Sequence, residues 1–450
     1  MKHILLLLLI SLLPAARPAQ AQTRTVPEIN VAYIDAMKTE LQSLRGLEYT
    51  APVTVQFVSQ KEIADIAAGI MVREGMGADY IDASARVMQA FGFLESTGDL
   101  QAALDSVLTQ QVEGLYDTDQ NTLYVVRENL LAEQAQELMS IFNGMNPKDF
   151  ALSHELEHAL QAQHFDLNRL NTLRVRSEDA ALAYKCVVEG DAMAVMMNYT
   201  MRAVGANVLE TPNMGALMQG MMDTPGASAL GEFPDVPEVI KAQFLFPYTG
   251  GLDLLGVLYQ DGGWDAVNNA FENPPLSSEQ VLHPEKYLDE RDDPVDLDLG
   301  DMSAHAPPDS KFLDSNVLGE FHVRLLLKIT GPPGDEPDWA EPAAGWDGDR
   351  FAAYAAPGGH TILFWATAWD TAPEAAEFFD AYSAALTHRF GPAKQAGEDT
   401  AQNTWDTPCG PALLARDKDR VALVQCAERA AAPTAMRALL TAPAAPLTQD

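Results

Sequence analysis

The sequence has few positively charged residues and few cysteines. Lys and Arg number 29 against 64 Asp and Glu, which gives a formal net charge of −35 at pH 7. Phosphate groups and anionic membrane surfaces would repel such a chain, so we expect no binding partner among nucleic acids. Three cysteines in 450 residues exclude a small disulfide-dense scaffold. Because 47% of the residues are hydrophobic, the composition is typical of a globular protein with a sizeable core.

Long apolar runs are missing outside the N-terminus. Ile4 to Leu13 is almost wholly apolar and follows the basic residue Lys2. A run of about ten residues is too short to cross a bilayer, which requires about 20. Ala19 and Ala21 then supply the small side chains that a signal-peptide cleavage site requires, and cleavage would follow Ala21. We therefore predict that residues 1–21 are a cleavable signal peptide. The mature protein would be secreted or periplasmic, with no stable membrane insertion.

An exported protein can form disulfides, and the three cysteines differ in their surroundings. Cys409 and Cys426 lie near each other at the C-terminus, whereas Cys186 belongs to a helical pattern. We predict a Cys409–Cys426 disulfide and a buried Cys186 that acts as a small apolar side chain. The alternative is that Cys409 and Cys426 are free thiols.

The apolar periodicity predicts an α+β fold rich in helices. Apolar spacings of three and four predict helices near 60–74, 78–93 and 98–111, and over most of 147–222. A strand is expected at 53–58. A β-hairpin is expected around Asp117 to Asn121, and a helix is expected after it, near 128–143.

Proline and glycine mark the predicted domain boundary. Residues 331–344 are rich in both and are the expected linker to a small α/β C-terminal domain at 345–450. A helix is expected near 309–329, just before the linker. Residues 22–330 would form the main region before the linker. Within it, residues 22–112 are either an N-terminal subdomain or a pro-region.

One short motif carries a specific chemistry. His154 and His158 are four residues apart, so on a helix both imidazoles project from one face a turn apart. Such a pair can hold one Zn²⁺ through two ring nitrogens. Glu155 is then near enough to act as general base on a zinc-activated water. Pro147, at the expected first helical position after Asn146 as N-cap, supports a helix here.

The third metal ligand has two candidates. Glu189 lies on a second predicted helix, which begins after its N-cap, Ser177. The residues three and four positions from Glu189 on this helix are largely apolar. A carboxylate in such a place needs a compensating cation. His164 is the competitor. Its use would require the first helix to end in a tight turn, but Gln161 stands where such a turn favours glycine. We favour Glu189.

At these residues the sequence resembles the gluzincin class of metallopeptidases, and within it a poorly characterised group of exported bacterial proteins assigned as peptidases. The matching stretches cover about residues 110–290: Gly114 to Asp117, His154 to Leu167, Val188 to Ala192 and Leu282 to Tyr287.

The resemblance implies a zincin-like core in which a small sheet lies above the metal-bearing helix. The edge strand of that sheet would align a peptide substrate, and Leu123 to Val126 is the expected edge. His154, His158 and Glu189 would be the zinc ligands, with Glu155 as the catalytic base.

The resemblance also implies two supporting roles for which the sequence leaves several candidates. An acidic residue should orient a ligand histidine, and Asp191 and Asp166 are available. A donor from a distant segment should stabilise the transition state. For this role the candidates are His283, Tyr287 and Tyr248.

These expectations combine into an exported zinc metallopeptidase that acts on a peptide or protein substrate. Two alternatives stay open: a catalytically inactive zincin-fold binding protein, and a hydrolase of a non-peptide amide. The presence of Glu155 favours an enzyme, because a binding site needs no base beside the metal.

Overall fold

The computed structural model describes residues 6–10, 30–110, 112–127, 147–202, 205–223, 236–289, 291–333, 339–395 and 401–448. As predicted, the fold is α+β, with a helical core and a C-terminal β-sheet region. A helix expected near 128–143 and the expected N-cap Asn146 lie outside the described residues.

The N-terminal part combines four helices with a four-stranded sheet. The helices are α1 (Val31–Arg45), α2 (Gln60–Arg73), α3 (Ala78–Phe91) and α4 (Gly98–Gln110). The strands are β1 (Leu6–Ile10), β2 (Thr54–Val58), β3 (Val112–Asp117) and β4 (Thr122–Val126). The strand order is β1-β3-β4-β2, and β2 is parallel to β4 while the other pairs are antiparallel.

The prediction that Leu123 to Val126 forms the sheet edge is wrong. Strand β4, which contains this segment, pairs on one side with β3 and on the other with β2, so it has no free edge. The periodicity of 53–58 indicated a strand but not its partner. Strand β1, from the predicted signal peptide, covers the outer side of β3, with Leu7 opposite Tyr116. Signal cleavage stays a prediction. It would remove β1 and leave β3 at the edge.

The central part of the chain is helical. Its elements are α5 (Pro147–His164), α6 (Arg169–Arg176), α7 (Glu178–Met201), α8 (Met214–Asp223), α9 (Glu238–Glu272), α10 (Ser278–Leu282) and α11 (Glu285–Leu288). Pro147 is the first residue of α5, as predicted. Ser177 caps α7, as predicted, because its hydroxyl accepts a hydrogen bond from the Ala180 N–H at 3.0 Å. Helix α9 is interrupted at Gly262 and Gly263, whose backbone angles are not helical.

Helices α7 and α9 cross at two glycines. A Cβ added to Gly190 would lie 2.5 Å from the carbonyl carbon of Gly251, and one added to Gly251 would lie 2.2 Å from the Cys186 oxygen. Only residues without side chains allow the two backbones to come this close. This close approach brings the Glu189 region of α7 against α9.

The C-terminal part is built on a seven-stranded antiparallel sheet of order β6-β7-β8-β12-β11-β10-β9. Its strands are β6 (Lys311–Asn316), β7 (Trp346–Ala355), β8 (Thr361–Trp369), β9 (Lys394–Gln395), β10 (Gln402–Thr407), β11 (Gly410–Asp417) and β12 (Arg420–Gln425). Three helices accompany it, α12 (Gly319–Thr330), α13 (Ala372–Phe390) and α14 (Ala432–Leu440). A two-stranded sheet pairs β5 (Val295–Leu297) with β13 (Ala444–Pro446).

This sheet begins before the predicted linker. Residues 311–316, expected in a helix near 309–329, form strand β6 instead, because they pair with β7 from Lys311 opposite Ala355 to Asn316 opposite Phe351. Residues on both sides of 331–344 therefore share one sheet.

The cysteine predictions are confirmed. A disulfide joins Cys409 and Cys426, whose Cα atoms are 5.2 Å apart, and Cys186 is free and fully buried. In the part of the chain that the structure describes, no helix has both the length and the apolar character that a membrane crossing requires.

Candidate metal centre

Helices α5 and α7 bring the three predicted ligands together. On α5 the Nε2 atoms of His154 and His158 are 3.0 Å apart. From α7, Glu189 Oε2 lies 3.2 Å from His154 Nε2 and 3.5 Å from His158 Nε2. All three side chains are fully buried, and their ligand atoms lie within 4.8 Å of one another. We call these three residues the HHE cluster.

The competing ligand, His164, lies elsewhere. Helix α5 continues through Gln161 to His164, so the turn that would redirect this side chain does not form. His164 is exposed, and its Nε2 lies 2.7 Å from the backbone oxygen of Glu48.

The HHE cluster fits a divalent cation. Two neutral imidazoles whose Nε2 atoms face each other at 3.0 Å cannot both present a lone pair unless a proton or a cation lies between them. Glu189 Oε1 is buried without a hydrogen-bond partner among the described residues. Two histidines and one carboxylate are also a ligand set of catalytic zinc sites. The donors are therefore suited to Zn²⁺.

Burial and mutual contact shift the pKa values of the three side chains in the HHE cluster. Burial lowers the pKa of His154 to about 4. For His158, burial acts in the same direction, but contact with Glu189 outweighs it and raises the pKa. Burial opposes ionisation of Glu189, yet its contacts with both histidines hold its pKa below the usual range. The cluster thus keeps an ionised carboxylate in a buried place.

Glu155 is held against strand β3. Its Oε2 accepts a hydrogen bond from the Tyr116 N–H at 2.8 Å, and its Oε1 is buried without a partner among the described residues. Burial raises the pKa of Glu155 to about 8. A Cβ on Gly114 would lie 2.9 Å from Glu155 Cγ, so this glycine gives the carboxylate its space. The Gly114 to Asp117 stretch of the sequence resemblance therefore lies directly beside the predicted base.

A buried polar network extends from His158. His158 Nδ1 lies 2.9 Å from Gln161 Oε1, and Gln161 Nε2 donates to Asp191 Oδ2 at 2.9 Å. Asp191 Oδ1 in turn accepts from Arg45 Nε at 2.8 Å. Asp191 thus reaches a ligand histidine through Gln161, whereas Asp166 is exposed and accepts from the Asn168 N–H.

Sequence reasoning did not identify Gln161 and Arg45 as parts of this network. From the sequence, Gln161 bears only on the tight turn that metal binding by His164 would require. Arg45 stands at the end of α1, more than a hundred residues from the motif. Nothing in the sequence near Arg45 indicated that it is buried, because Arg is almost never fully buried unless it is paired and its partner Asp191 is distant.

Of the three candidates for the transition-state donor, the structure brings Tyr248 to the site. Its ring centroid is 5.9 Å from that of His154, and Glu189 lies close enough that, besides burial, its charge raises the pKa of the Tyr248 phenol. His283 contacts Glu320 instead, and the Tyr287 hydroxyl donates to the Asn273 carbonyl.

Comparison with known proteins gives one match. A family model described as a domain of unknown function (DUF8575) matches residues 310–437. The matched part contains all seven strands of the C-terminal sheet, from β6 to β12, and it does not include the HHE cluster. No curated protein and no solved structure matches the chain.

Proposed function

We propose that this protein is an exported zinc-dependent metallohydrolase, and most specifically a peptidase, in which His154, His158 and Glu189 hold Zn²⁺. The observation that carries the proposal is the buried HHE cluster with the Glu155 carboxylate on the residue next to its first ligand. Zn²⁺ bound there would polarise the scissile carbonyl and lower the pKa of a water molecule to about 7.

Glu155 would act as the general base and then as the general acid. Its Oε1 has no partner among the described residues, so it can accept a proton from the attacking water. The hydrogen bond from Tyr116 to its Oε2 holds the carboxylate in place meanwhile. Burial raises the pKa of Glu155 to about 8 in the chain without metal, and the charge of a bound zinc ion would lower it again. The carboxylate could then take up a proton from the water and release it to the leaving amine near neutral pH.

Tyr248 would supply a hydrogen bond to the oxyanion that develops on the substrate. Burial, reinforced by the charges of Glu189 and Glu155, raises the pKa of this phenol well above its usual value. The hydroxyl therefore keeps its proton at neutral pH and remains a donor.

A peptide substrate would bind along strand β3. This strand holds Glu155 through Tyr116, and its outer side pairs with β1 of the predicted signal peptide. Signal cleavage would expose the backbone groups that β1 occupies, and an extended peptide could add there as a strand. The substrate backbone would then lie beside the base.

The competing functions are a binding protein without catalysis and a hydrolase of non-peptide amides. Glu155 favours catalysis over mere binding, because the carboxylate contributes no ligand atom to the HHE cluster. The sheet edge favours a peptide over other amides, because strand addition requires a peptide backbone.

The test is Glu155→Gln in the chain of residues 22–450. Zinc content is measured by mass spectrometry, and hydrolysis is measured on unfolded casein and on a fluorogenic peptide mixture. We expect zinc to be retained and hydrolysis to fall at least 100-fold, since general-base catalysis contributes about 10²–10⁴. The control is Glu95→Gln, whose side chain is exposed. Equal hydrolysis by Glu155→Gln and the unmodified chain would refute the catalytic role.

A further inference from the structure

We propose that Gln161 is a positioning residue that fixes the ring proton of His158 on Nδ1, and that Asp191 and Arg45 hold Gln161 in this orientation. The inference rests on the proposed metal site, because the fixed proton leaves His158 Nε2 as the ligand atom. It concerns residues that lie outside the motif formed by His154, Glu155 and His158.

The hydrogen bonds of Gln161 determine which way its amide faces. The amide nitrogen lies 2.9 Å from the Val188 carbonyl oxygen and 2.9 Å from Asp191 Oδ2. Both neighbours are acceptors, so the atom between them must be the NH₂ group. With the amide turned over, its oxygen would face two other oxygens at the same distances, which would be repulsive.

The orientation of the amide then determines the tautomer of His158. Gln161 Oε1 lies 2.9 Å from His158 Nδ1, and this oxygen can only accept a hydrogen bond. Nδ1 must therefore carry the proton, and in the neutral ring the lone pair is on Nε2. That is the atom next to Glu189 and His154. A histidine presented in this way need not change tautomer before it binds a metal ion.

Asp191 and Arg45 form the next layer. Both carboxylate oxygens of Asp191 are used, one by Gln161 and the other by Arg45 Nε at 2.8 Å. Arg45 is fully buried, donates to Asn268 Oδ1 at 2.7 Å, and lies over the Trp264 ring at 4.3 Å. Because the arginine is fixed by α9 and the carboxylate by α7, neither can turn away without leaving a buried charge unpaired.

The two ligand histidines differ in this respect. His154 Nδ1 is buried and has no hydrogen-bond partner among the described residues, whereas His158 Nδ1 has Gln161. We therefore expect loss of Gln161 to affect the His158 ring and to leave the His154 ring unchanged.

The first measurement is the tautomer of His158 in the metal-free chain of residues 22–450. Ring nitrogens are labelled with ¹⁵N, and spectra are recorded at alkaline pH, where the imidazoles are neutral. We expect the proton of His158 on Nδ1 in the unmodified chain and a shift towards the Nε2 tautomer in Gln161→Met. A proton on Nε2 in the unmodified chain would overturn the proposal, and this result requires no variant to fold.

The second measurement is zinc affinity by competition with a chelator. We expect Gln161→Met to bind zinc about 10–100-fold more weakly, the usual effect of losing a hydrogen bond to a ligand histidine. The control is Gln163→Met on the same helix, whose amide bonds to the backbone of Thr50 and Ala51 instead. It should bind zinc as the unmodified chain does. Equal zinc affinity of Gln161→Met and Gln163→Met would contradict the proposal.

The two readouts separate this inference from the proposed function. If the unmodified chain binds no zinc, the proposed function fails, but the ring-nitrogen spectra still decide whether Gln161 fixes the tautomer. If zinc binds and Gln161→Met changes neither the affinity nor the tautomer, the inference fails and the proposed function stands.

Discussion

The backbone N–H of Tyr116 donates a hydrogen bond to the side chain of Glu155 at 2.8 Å, although the two residues belong to a strand and a helix 39 positions apart. The predicted base is therefore fixed by the strand next to β1, which would become the sheet edge if signal cleavage removed β1. Catalytic group and substrate backbone would share one rigid support, which is the arrangement that precise positioning requires.

The space beside Glu155 depends on Gly114. In Gly114→Ala the new Cβ would lie 2.9 Å from Glu155 Cγ and would displace the carboxylate. We expect kcat to fall by about 100-fold, since a shift of about 1 Å can have this effect, while zinc content stays unchanged. Peptide hydrolysis and metal analysis are the measurements. The control is Gly69→Ala, which meets no atom within 4 Å. Full activity of Gly114→Ala would contradict the placement of Glu155.

The crossing of α7 and α9 should not tolerate a side chain. In Gly251→Ala the methyl group would lie 2.2 Å from the Cys186 oxygen, and the helices would have to separate. We expect the free energy of unfolding to fall by roughly 1–3 kcal/mol, measured by urea denaturation. Gly256→Ala on the same helix is the control, because the nearest atom to its Cβ is 3.9 Å away. If both variants unfold at the same urea concentration, the close crossing does not exist.

Arg45 compensates the buried carboxylate of Asp191 and lies beside a second buried acid, Glu157. Its Nε lies 2.8 Å from Asp191 Oδ1 and 3.9 Å from Glu157 Oε1, and all three side chains are fully buried. In Arg45→Met the Asp191 carboxylate would lose its cation, so we expect a loss of roughly 3–5 kcal/mol in the free energy of unfolding. Arg86→Met removes a more exposed ion pair with Asp82 and should cost about 1 kcal/mol or less. A similar small loss for both arginines would show that the buried pair is unimportant.

The stability of the chain should fall as the pH rises through a buried acid at the junction of α7 and the C-terminal sheet. Burial raises the pKa of Asp179 to about 8, with further increases from the charges of Asp349 and Glu320. The folded state therefore binds more protons here than the unfolded state between about pH 4 and pH 8, so this contribution favours folding at low pH and is lost towards pH 8.

Asp179→Asn isolates this group, because the amide oxygen can still accept from the Ser278 N–H, as Asp179 Oδ2 does at 2.9 Å. We expect the stability of the unmodified chain to fall, relative to the variant, from pH 5 to pH 8. Denaturation curves at several pH values give the difference. A difference that stays constant over this range would be incompatible with a raised pKa of Asp179.

Local signals in the sequence were sufficient to predict where the two helices of the HHE cluster begin. Pro147 and Ser177 are found at the start of α5 and α7 because first-turn and capping preferences are properties of a few neighbouring residues. The four-residue spacing of His154 and His158 likewise determines that both lie on one face.

Features that depend on distant pairing could not be predicted. Residues 311–316 form a strand because β7 lies beside them, and nothing in their own pattern indicates that partner. The parallel pairing of β2 with β4, which removed the expected sheet edge, has the same origin. Arg45 can be buried because residues far away in the sequence, among them Asp191 at 146 positions, provide its partners.

The most direct test of the account is the zinc stoichiometry of the chain of residues 22–450 and of its Glu189→Ala and His164→Ala variants. Each is depleted with a chelator, supplied with zinc, dialysed and analysed. We predict one zinc ion per unmodified chain, one in His164→Ala, and a large loss in Glu189→Ala, since two histidines alone cannot complete the site. No zinc in the unmodified chain, or a loss with His164→Ala and none with Glu189→Ala, would contradict the account.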